Sequence, residues 1–456
     1  MVDLQWLVFA AISFPAEAIL HSNYLLLFGI LIALTYYFIS ALAAFLALLA
    51  SLLAILSSFG QRPCPLPRYR GSLDVLLGRS HRASTDVPSM VANNNVSLAS
   101  FSNKLVIAYR KADSHFASPL AQIVVASTTA SNLEEWTEIW NYRTGQDDLR
   151  EVLLFSLNGT LFLYFACLAP DKRGFTPRRM QWTSTNDLCS WSPPVPVGRV
   201  SEITWDVKVL ESSSGAGKTI AYKTSYVGNH YAADAVCDVH FECSSDGKNW
   251  GPVGKDSSVV YVGGVSEVSF DFTTRGDLVA IGRNEDGDAT GFGSQFFFAA
   301  KGDLGSWTAL KFSLPYRFDS PRLLLMDGEL LLFARYASTP YNVVPQWMPF
   351  GLQRFGNILT YSLLPKSAAV YRICAPSNNG VFPKEPVELI RFFEATYGDT
   401  GFFSLAHDAA TGDFVIANYS SSCHSSAPWI YGQVKNTDVY VCRGQLVRRE
   451  DKVHTK

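Results

Sequence analysis

The chain has 456 residues, a formal net charge of −2 and a hydrophobic content of 48%. A net charge this close to zero, without a basic block, argues against nucleic acid as a partner. Aromatic residues at 13%, together with 32 glycines and 22 prolines, indicate many short strands and turns rather than helices.

The N-terminal region is apolar, and no charged residue occurs from Asn23 to Gly60. Since about 20 helical residues cross the core of a bilayer, the run predicts that residues 1–60 are a membrane anchor with one or two transmembrane helices. Membrane lipid is the partner expected for this N-terminal helix. A cleaved signal peptide is the alternative, but the run is too long and no lysine or arginine precedes it.

The orientation of this anchor is left open by opposing signals. Arg62 and two further arginines follow the run, which by the positive-inside rule favours a cytoplasmic flank. Three N-glycosylation sequons, at Asn95, Asn158 and Asn418, favour instead a glycoprotein of the secretory pathway or cell surface with a lumenal or extracellular C-terminal region. Eight cysteines permit disulfides there, although buried free thiols fit equally well.

An internal repeat follows the anchor. Residues 61–90 are rich in arginine, proline and serine and are interpreted as a linker. Four polar turns then end in a tryptophan, at Trp136, Trp191, Trp250 and Trp307, at intervals of 55, 59 and 57 residues. A second series of strand-like segments, among them "KLVIAYR", "TLFLYFA" and "ELLLFAR", runs in phase with these turns.

Six such units of about four strands predict that residues 91–445 form an all-β, six-bladed β-propeller. A charged tail follows over residues 446–456. A parallel β-solenoid usually has a shorter repeat, and a pair of β-sandwiches would not give this phase. The longer segments between Arg335 and Phe414 are interpreted as loop insertions. In a propeller the aspartate turn joins outer strands and its tryptophan packs between blades, so the turn has a structural role.

Two of these turns resemble a known motif. "SSDGKNWGP" and "STNDLCSWSPP" look like the Asp boxes, or BNR repeats, of the sialidase (neuraminidase) superfamily, which has six blades. The resemblance covers roughly residues 88–445 and is that of a divergent member. It implies an exo-glycosidase that acts on acidic glycans, with a glycan or glycoconjugate as substrate and without a cofactor or metal ion.

Ligands of a propeller bind where the innermost strands begin. Charged residues recur at this level, and at the ends of the second strands, which predicts a polar rim around a binding site. Arginine suits such a rim because its planar guanidinium makes paired hydrogen bonds with a carboxylate. The candidate substrate-binding residues are Arg110, Arg150, Glu151, Asp206, Arg283, Arg322, Arg335 and Asp399.

The resemblance also implies catalytic residues. Sialidases use a tyrosine nucleophile, and the resemblance implies an adjacent glutamate as its base. Glu267 occurs where the family has this glutamate, and Arg283 follows at the spacing of one arginine of the family's carboxylate-binding triad. Tyr397 is the candidate nucleophile. Asp113 lies in the loop of the family's acid, where His115 is an alternative polar group.

One arginine of that triad has no counterpart, because "MVANNNVSLASF" in blade 1 contains no arginine. Arg110 or Arg150 is the candidate substitute. Arg322 matches the blade-5 arginine, with Arg335 as its rival. The departure in blade 1 supports a second hypothesis, a non-catalytic propeller that binds glycans or proteins.

Other chemistries are less favoured. A third hypothesis is a five-bladed arabinanase- or fructosidase-type glycoside hydrolase that uses Asp206 and Glu267 as its acid pair. The segment "SSSGAGKT" lacks the first glycine of a P-loop, and "NEDGDATGFGS" lacks the bidentate glutamate of a calcium loop. No histidine or cysteine cluster has the spacing of a zinc site.

Overall fold

The computed structural model divides the chain into two compact units, Met1–Arg62 and Pro63–Lys456. The described residues are 30–46, 67, 73–84, 92–171, 174–211, 219–228, 236–254, 256–337, 347–377, 380–393, 397–408, 413–421, 424 and 427–448. In the first unit residues 30–46 form a helix with exposed apolar side chains. Among the described residues, no helix is both long and apolar enough to cross a membrane. The rest of the predicted anchor lies outside the described residues.

In its described residues the second unit contains five sheets, the largest of nine strands. The two parts of this largest sheet are joined by a single parallel pair, Thr437 opposite Ala92, so we count them as two blades and call the resulting groups blades 1 to 6. Blades 1 and 2 contain β3 (Ala92–Phe101), β4 (Lys104–Ala112), β5 (Gln122–Thr129) and β6 (Thr137–Tyr142), then β7 (Asp148–Leu157), β8 (Thr160–Asp171), β9 (Gly174–Thr185) and β10 (Val195–Val197). Blade 3 contains β11 (Glu202–Glu211), β12 (Thr219–Val227), β13 (Cys237–Ser244), β14 (Gly251–Pro252) and β15 (Val259–Gly263).

The remaining blades follow the same antiparallel plan. Blades 4 and 5 contain β16 (Ser266–Phe272), β17 (Leu278–Arg283), β18 (Ser294–Ala299) and β19 (Thr308–Ala309), then β20 (Phe318–Met326), β21 (Glu329–Ala337), β22 (Lys366–Ile373) and β23 (Val387–Phe392). Blade 6 contains β24 (Ser404–His407), β25 (Phe414–Ser421) and β26 (Thr437–Arg448), with β1 (Leu73–Leu77) and β2 (His81–Arg82) on its outer side.

The first strands of the blades lie side by side, from blade 6 through blade 1 to blade 5. Between blades 5 and 6 the Nε of Arg322 donates a hydrogen bond of 3.2 Å to the carbonyl of Phe403. The fold is therefore β-rich and propeller-like, with apolar clusters between neighbouring blades. The six first strands, β3, β7, β11, β16, β20 and β24, argue against the five-bladed alternative.

The last blade is completed by the beginning of the unit. Strand β1 runs antiparallel to β26, with Leu73 opposite Arg448, and Val75 at its centre is fully buried. The segment 61–90, interpreted as a linker, thus contributes β1 and β2 to blade 6. Strand β26 likewise extends into the segment 446–456, interpreted as a tail. A strand of five residues inside a segment rich in arginine and proline gives too weak a pattern to recognise.

The insertion in blade 5 contains a helix rather than only a loop. Residues Phe350–Leu363 are helical between β21 and β22, and a short helix, Trp429–Gly432, lies between β25 and β26. The two helices pack together, with the rings of Tyr361 and Trp429 5.0 Å apart. The buried residues of the longer helix are mostly polar, so its hydrophobic pattern is the reverse of that expected for a surface helix.

The aspartate turn of blade 3 has the structural role predicted for it. In the turn between β13 and β14, Oδ1 of Asp246 accepts hydrogen bonds of 2.8 Å from the amides of Lys248 and Asn249. The Nε1 of Trp250 donates to the hydroxyl of Tyr164 in blade 2 at 3.0 Å. The tryptophan of blade 3 therefore packs against its neighbouring blade.

The three N-glycosylation sequons and the cysteines are two features that the sequence shares with secreted proteins. Asn95 and Asn418 are buried, whereas Asn158 is exposed in the turn between β7 and β8. The six cysteines among the described residues are free thiols, and Cys423 lies outside those residues. Only the sequon at Asn158 is accessible to a glycosyltransferase among these three.

Candidate functional site

A cavity of about 350 Å³ opens where the first strands begin. Its walls come from all six blades and from the short helix Trp429–Gly432. The lining residues are Asn95, His115, Arg150, Glu151, Leu168, Pro177, Ile203, Tyr226, Glu267, Arg283, Ser320, Arg335, Phe402, Tyr419, Trp429 and Gln433. Of the predicted site residues, the cavity brings together Arg150, Glu151, Glu267, Arg283 and Arg335.

A repeated β-bulge places side chains in this cavity. The register of the first strand against the second shifts at the same level in blades 1, 2, 4 and 5. At each shift one residue has a positive φ: Asn95 (49°), Glu151 (51°), Glu267 (51°) and Ser320 (49°). Side chains other than glycine rarely adopt this conformation, and bulges commonly redirect side chains near sites. All four residues line the cavity.

Glu267 and Arg283 form the most heavily charged part of the wall. Arg283 contacts three carboxylates, with Nη1 at 2.7 Å from Glu267, Nη2 at 2.6 Å from Glu285 and Nε at 2.9 Å from Asp319. Burial alone would lower the pKa of Arg283, but the three carboxylates raise it well above its usual value. The second oxygen of Glu267 accepts a hydrogen bond of 3.0 Å from the amide of Ser320. Glu267 is thus held as an ion-paired carboxylate.

Glu151 has a different environment. Loss of water around its carboxyl raises the pKa of Glu151 to about 7, and the negative charge of Glu267 adds to this rise. Oε2 of Glu151 accepts a hydrogen bond of 3.2 Å from the side-chain amide of Asn95. Arg150 and Arg322 oppose the rise but do not cancel it. The carboxyl of Glu151 in blade 2 therefore binds its proton more tightly than an ordinary glutamate does.

A chain of polar groups crosses the opposite part of the site. Oδ2 of Asp399 lies 2.5 Å from Nδ1 of His115, and Oδ1 accepts hydrogen bonds from the Tyr419 hydroxyl at 3.0 Å and from the Trp429 indole at 3.2 Å. Burial would raise the pKa of Asp399, but His115, Arg335 and Tyr419 lower it. His115 and Tyr419 line the cavity, and Asp399 joins them from behind.

The loop after β4 presents His115 to the cavity rather than Asp113. Asp113 is exposed and does not line the cavity. The buried Arg110 explains the loop's shape, because it donates hydrogen bonds of 2.9 Å to the carbonyls of Ser114 and Phe116, on either side of His115. The order of residues in "RKADSHFASP" does not show which polar side chain turns inward, so the position of His115 in the cavity could not be predicted from it.

The tyrosine in the cavity is Tyr419, on the second strand of blade 6. Tyr397 is partly buried, and its carbonyl accepts hydrogen bonds from the hydroxyls of Ser420 (3.3 Å) and Ser421 (3.1 Å), but it does not line the cavity. Burial and the nearby Asp399 raise the pKa of Tyr419 well above its usual value. No local pattern distinguishes Tyr419 in the sequence, because the strand "FVIANYSS" is buried throughout.

Arg335 differs from Arg283 in its partners. It donates hydrogen bonds to the carbonyl of Thr400 (2.5 Å) and to the hydroxyls of Tyr361 (2.8 Å) and Tyr419 (3.4 Å). Burial would lower the pKa of Arg335, but Tyr361, Tyr419 and Asp399 raise it. Within the described part of the chain Arg335 has no ion pair, so among the cavity arginines it is the best placed to meet an anionic group.

The other predicted rim residues have structural contacts. Arg110 is fully buried and donates two hydrogen bonds to Asp148 at 3.1 and 2.7 Å; burial and Arg150 lower its pKa to about 10. Arg150 lines the cavity, and its Nε lies 2.5 Å from the same Asp148. These two arginines share the carboxylate of Asp148. Of the two, only Arg150 lines the cavity.

Asp206 and Arg322 lie among the first strands instead of on the cavity wall. Oδ2 of Asp206 accepts a hydrogen bond of 2.5 Å from Ser269 in blade 4. Arg322 donates a hydrogen bond of 2.5 Å to the carbonyl of Trp205 and packs 4.5 Å above that ring. These residues join blades. Among the described residues, no group of histidine, cysteine, aspartate and glutamate is arranged to hold a metal ion.

Comparisons with known proteins agree with the fold. No protein family and no curated protein matches the chain. A protein of unknown function from Dyadobacter fermentans DSM 18053 is 14% identical, with 82% of this chain and 99% of that chain covered and a TM-score of 0.53. The likeness at this identity shows the fold alone.

Two further structures resemble the chain more weakly. Trypanosoma rangeli sialidase is 8% identical, with a TM-score of 0.48 and coverage of 81% of this chain and 59% of that chain. Zg3597, a family 117 glycoside hydrolase from Zobellia galactanivorans, is 13% identical, with a TM-score of 0.37 and coverage of 61% and 87%. The site is therefore interpreted from its own residues.

Proposed function

We propose that the protein is a glycoside hydrolase, an exo-glycosidase of the sialidase-like kind in a six-bladed propeller, acting at the central cavity on an acidic glycan. The observation that carries this proposal is the pair Glu151 and Glu267. Both line one cavity, but the pKa of Glu151 is raised to about 7 whereas Glu267 is ion-paired with Arg283 at 2.7 Å. Carboxyl groups whose environments separate their acidities are typical of acid–base sites.

Glycoside cleavage needs an acid beside the leaving oxygen and a second group at the anomeric carbon. Glu151 is protonated below about pH 7 and can donate its proton to the leaving oxygen. Glu267, fixed by Arg283 and by the amide of Ser320, supplies the negative charge that stabilises a developing oxocarbenium ion. The family resemblance implies a tyrosine nucleophile, for which Tyr397 was the candidate from the sequence. In its place we propose Tyr419, which lines the cavity and whose hydroxyl donates a hydrogen bond to Asp399.

The preference for an acidic glycan follows from Arg335. This buried guanidinium lines the cavity and is surrounded by hydroxyls and a carbonyl rather than by carboxylates. A buried cation without an ion pair gains more from a carboxylate ligand than one already neutralised. The substrate carboxylate is therefore proposed to meet Arg335, with Trp429 beside it.

A second candidate function is glycan binding without catalysis. The family resemblance implies that Arg283 binds the substrate carboxylate, but three carboxylates of the protein already surround its guanidinium. Blade 1 contributes Asn95 to the cavity where an arginine would complete a triad. A site with fewer free cations would bind a glycan more weakly and need not cleave it.

The experiment is hydrolysis of fluorogenic sialosides, uronides and neutral glycosides by the full chain, beside Glu151→Gln and Glu267→Gln. We expect release from an acidic glycoside and a loss of about 10²–10⁴-fold in each variant. Glu138→Gln, on the exposed outer strand of blade 1, is the matched control and should retain full activity. Glycan binding by the folded protein without release of any of the three substrate classes would support the binding function instead.

The location of the protein also remains a proposal. We propose a membrane anchor in residues 1–60 and a lumenal or extracellular second unit, in the secretory pathway or at the cell surface. The exposed Asn158 in an N-x-Thr sequon supports this location. Glycosidase treatment of protein from eukaryotic cells should lower its mass, and Asn158→Gln should abolish that shift; an unglycosylated chain would contradict it.

A further inference from the structure

The helix Phe350–Leu363 buries a mostly polar side and exposes apolar residues. Its buried side contains Arg354, Asn357, Thr360 and Tyr361. Leu352, in contrast, is 52% exposed. A surface helix of a soluble domain normally buries its apolar residues and exposes its polar ones.

Specific contacts hold this orientation. Nε and Nη2 of Arg354 lie 3.1 and 2.5 Å from Oδ1 of Asp286 in the loop between β17 and β18 of blade 4, and both residues are buried. The hydroxyl of Tyr361 accepts a hydrogen bond from Arg335 at 2.8 Å. Rotating the helix to bury its apolar side would break these contacts and leave the buried charge of Arg354 without its partner, which is strongly unfavourable. The apolar side is therefore held outward by the fold.

The short helix Trp429–Gly432 continues the exposed apolar surface. It packs on the longer helix, and the amide of Trp429 donates a hydrogen bond of 3.2 Å to the carbonyl of Leu364. We call the exposed apolar residues of the two helices and of the residues flanking them the helix-pair patch. Its principal members, with exposures from 45% to 79%, are Trp347, Leu352, Phe355, Ile430, Tyr431 and Val434. Trp347 is the most exposed of these, and large exposed apolar patches mark interaction sites.

The patch borders the candidate active site. Trp429 and Gln433 line the cavity, while Ile430 and Tyr431, between them in the chain, are exposed. Whatever covers the patch must therefore lie beside the cavity mouth. A partner in that place would present its own groups to the site.

The chemistry of the patch favours a lipid bilayer over a protein. The longer helix has no charged side chain except the buried Arg354, whereas protein interfaces have a polar rim with hydrogen bonds. The patch carries tryptophan and tyrosine, which prefer the membrane–water interface. Nζ of Lys435 lies 4.6 Å from the ring of Tyr431, where a cation at the margin can meet lipid phosphates.

The same chain carries a second region suited to hydrocarbon, because residues 23–60 contain no charged side chain. Stable membrane association commonly requires two such signals. We propose that the helix-pair patch inserts into the surface of a phospholipid bilayer and holds the cavity mouth at the headgroup level. The further consequence, that the substrate is a membrane-borne glycoconjugate, rests on the proposed glycosidase function.

The test is lipid photocrosslinking of the full chain reconstituted into phosphatidylcholine vesicles that contain an acyl-chain diazirine lipid. Mass spectrometry should find lipid on the segment 355–366 at least ten-fold above the segment around Phe312, which is 65% exposed on blade 4. The double substitution Leu352→Ser, Phe355→Ser should lower this labelling at least five-fold. The matched control Phe312→Ser should leave it unchanged. Equal labelling of both segments would overturn the proposal.

Other occupants of the patch give different results. If a second copy of the chain covers the patch, light scattering in detergent will show a dimer that the double substitution dissociates, and segment 355–366 will not be labelled by lipid. Because photocrosslinking requires no turnover, its failure is distinct from failure of the glycosidase proposal. If labelling succeeds, the double substitution should reduce hydrolysis of a vesicle-borne glycolipid and leave hydrolysis of a soluble glycoside unchanged.

Discussion

Glu151 combines a strained backbone with an altered acidity. Its φ of 51° belongs to the left-handed region, which costs a side chain other than glycine roughly 1–3 kcal/mol. Glu267 has the same conformation in blade 4. Conformations of this kind persist where the surrounding strands hold them, and both carboxyl groups thereby reach the cavity. The backbone strain at these two positions therefore accompanies the placement of two carboxyl groups in the cavity, where they are largely shielded from water.

The shifted acidity of Glu151 predicts a pH dependence of stability. Its pKa rises from a reference value of 4.5 to about 7 in the folded chain, so the folded state binds the proton more tightly than the unfolded state. This contribution is fully present below about pH 4.5 and is lost as the pH rises through about 7. We expect Glu151→Gln to remove this part of the decline in the free energy of unfolding between these pH values, as measured by denaturant titration.

The comparison requires a carboxyl outside the cavity. Glu138→Gln changes an exposed glutamate on the outermost strand of blade 1 and should leave the pH dependence as in the unchanged protein. If Glu151→Gln and Glu138→Gln give the same profile, the carboxyl of Glu151 does not bind its proton as the cavity predicts.

At the scale of elements, the turn after β13 depends on one carboxylate. Burial would raise the pKa of Asp246, but hydrogen bonds from the amides of Asn249 and Lys248 hold it below its usual range. Since Asp246→Ala leaves these amides without their acceptor, we expect a loss of about 1–2 kcal/mol in the free energy of unfolding. Denaturant titration monitored by tryptophan fluorescence measures this change.

Blade 4 offers a matched turn for this prediction. In "GDLGSW" the amide of Ser306 donates to the carbonyl of Asp303, and within the described residues the Asp303 carboxylate makes no hydrogen bond. Asp303→Ala should therefore change stability by less than about 0.5 kcal/mol. Equal effects of Asp246→Ala and Asp303→Ala would show that the carboxylate of Asp246 does not organise its turn.

Sequence patterns predicted the elements better than the site. The tryptophan turns indicated the period of the blades because their sequences are local signals, and in two of them an aspartate, Asp187 or Asp246, accepts hydrogen bonds from nearby amides. The cavity depends instead on which residues of a loop or strand turn inward. Arg110, which lies 38 residues before its partner Asp148, shapes the loop that presents His115, and no local sequence pattern predicts such a contact. For the same reason Tyr419, rather than Tyr397, could be recognised only from the fold.

At the scale of the molecule, polar contacts connect the first strands around the centre. The hydroxyl of Ser97 accepts a hydrogen bond of 2.8 Å from the amide of Leu154 in the next blade, and Ser269 accepts one of 2.8 Å from Leu323. Each serine follows the bulge of its strand at the same position. The bulge therefore has two roles, because it directs one side chain into the cavity and places the next polar residue between blades.

Closure of this ring depends on β1, the strand supplied by the beginning of the second unit. Val75 is fully buried among apolar residues of blades 5 and 6, whereas Leu76, its neighbour, is 48% exposed. Val75→Asp would bury an unpaired charge and should lower the free energy of unfolding by about 3–5 kcal/mol, with earlier proteolysis of blade 6. Leu76→Asp places the same charge on the same strand in water and should change stability by less than about 1 kcal/mol. If the two variants unfold at the same denaturant concentration, β1 does not close blade 6 in solution, and the unit must be stabilised by its other strands alone.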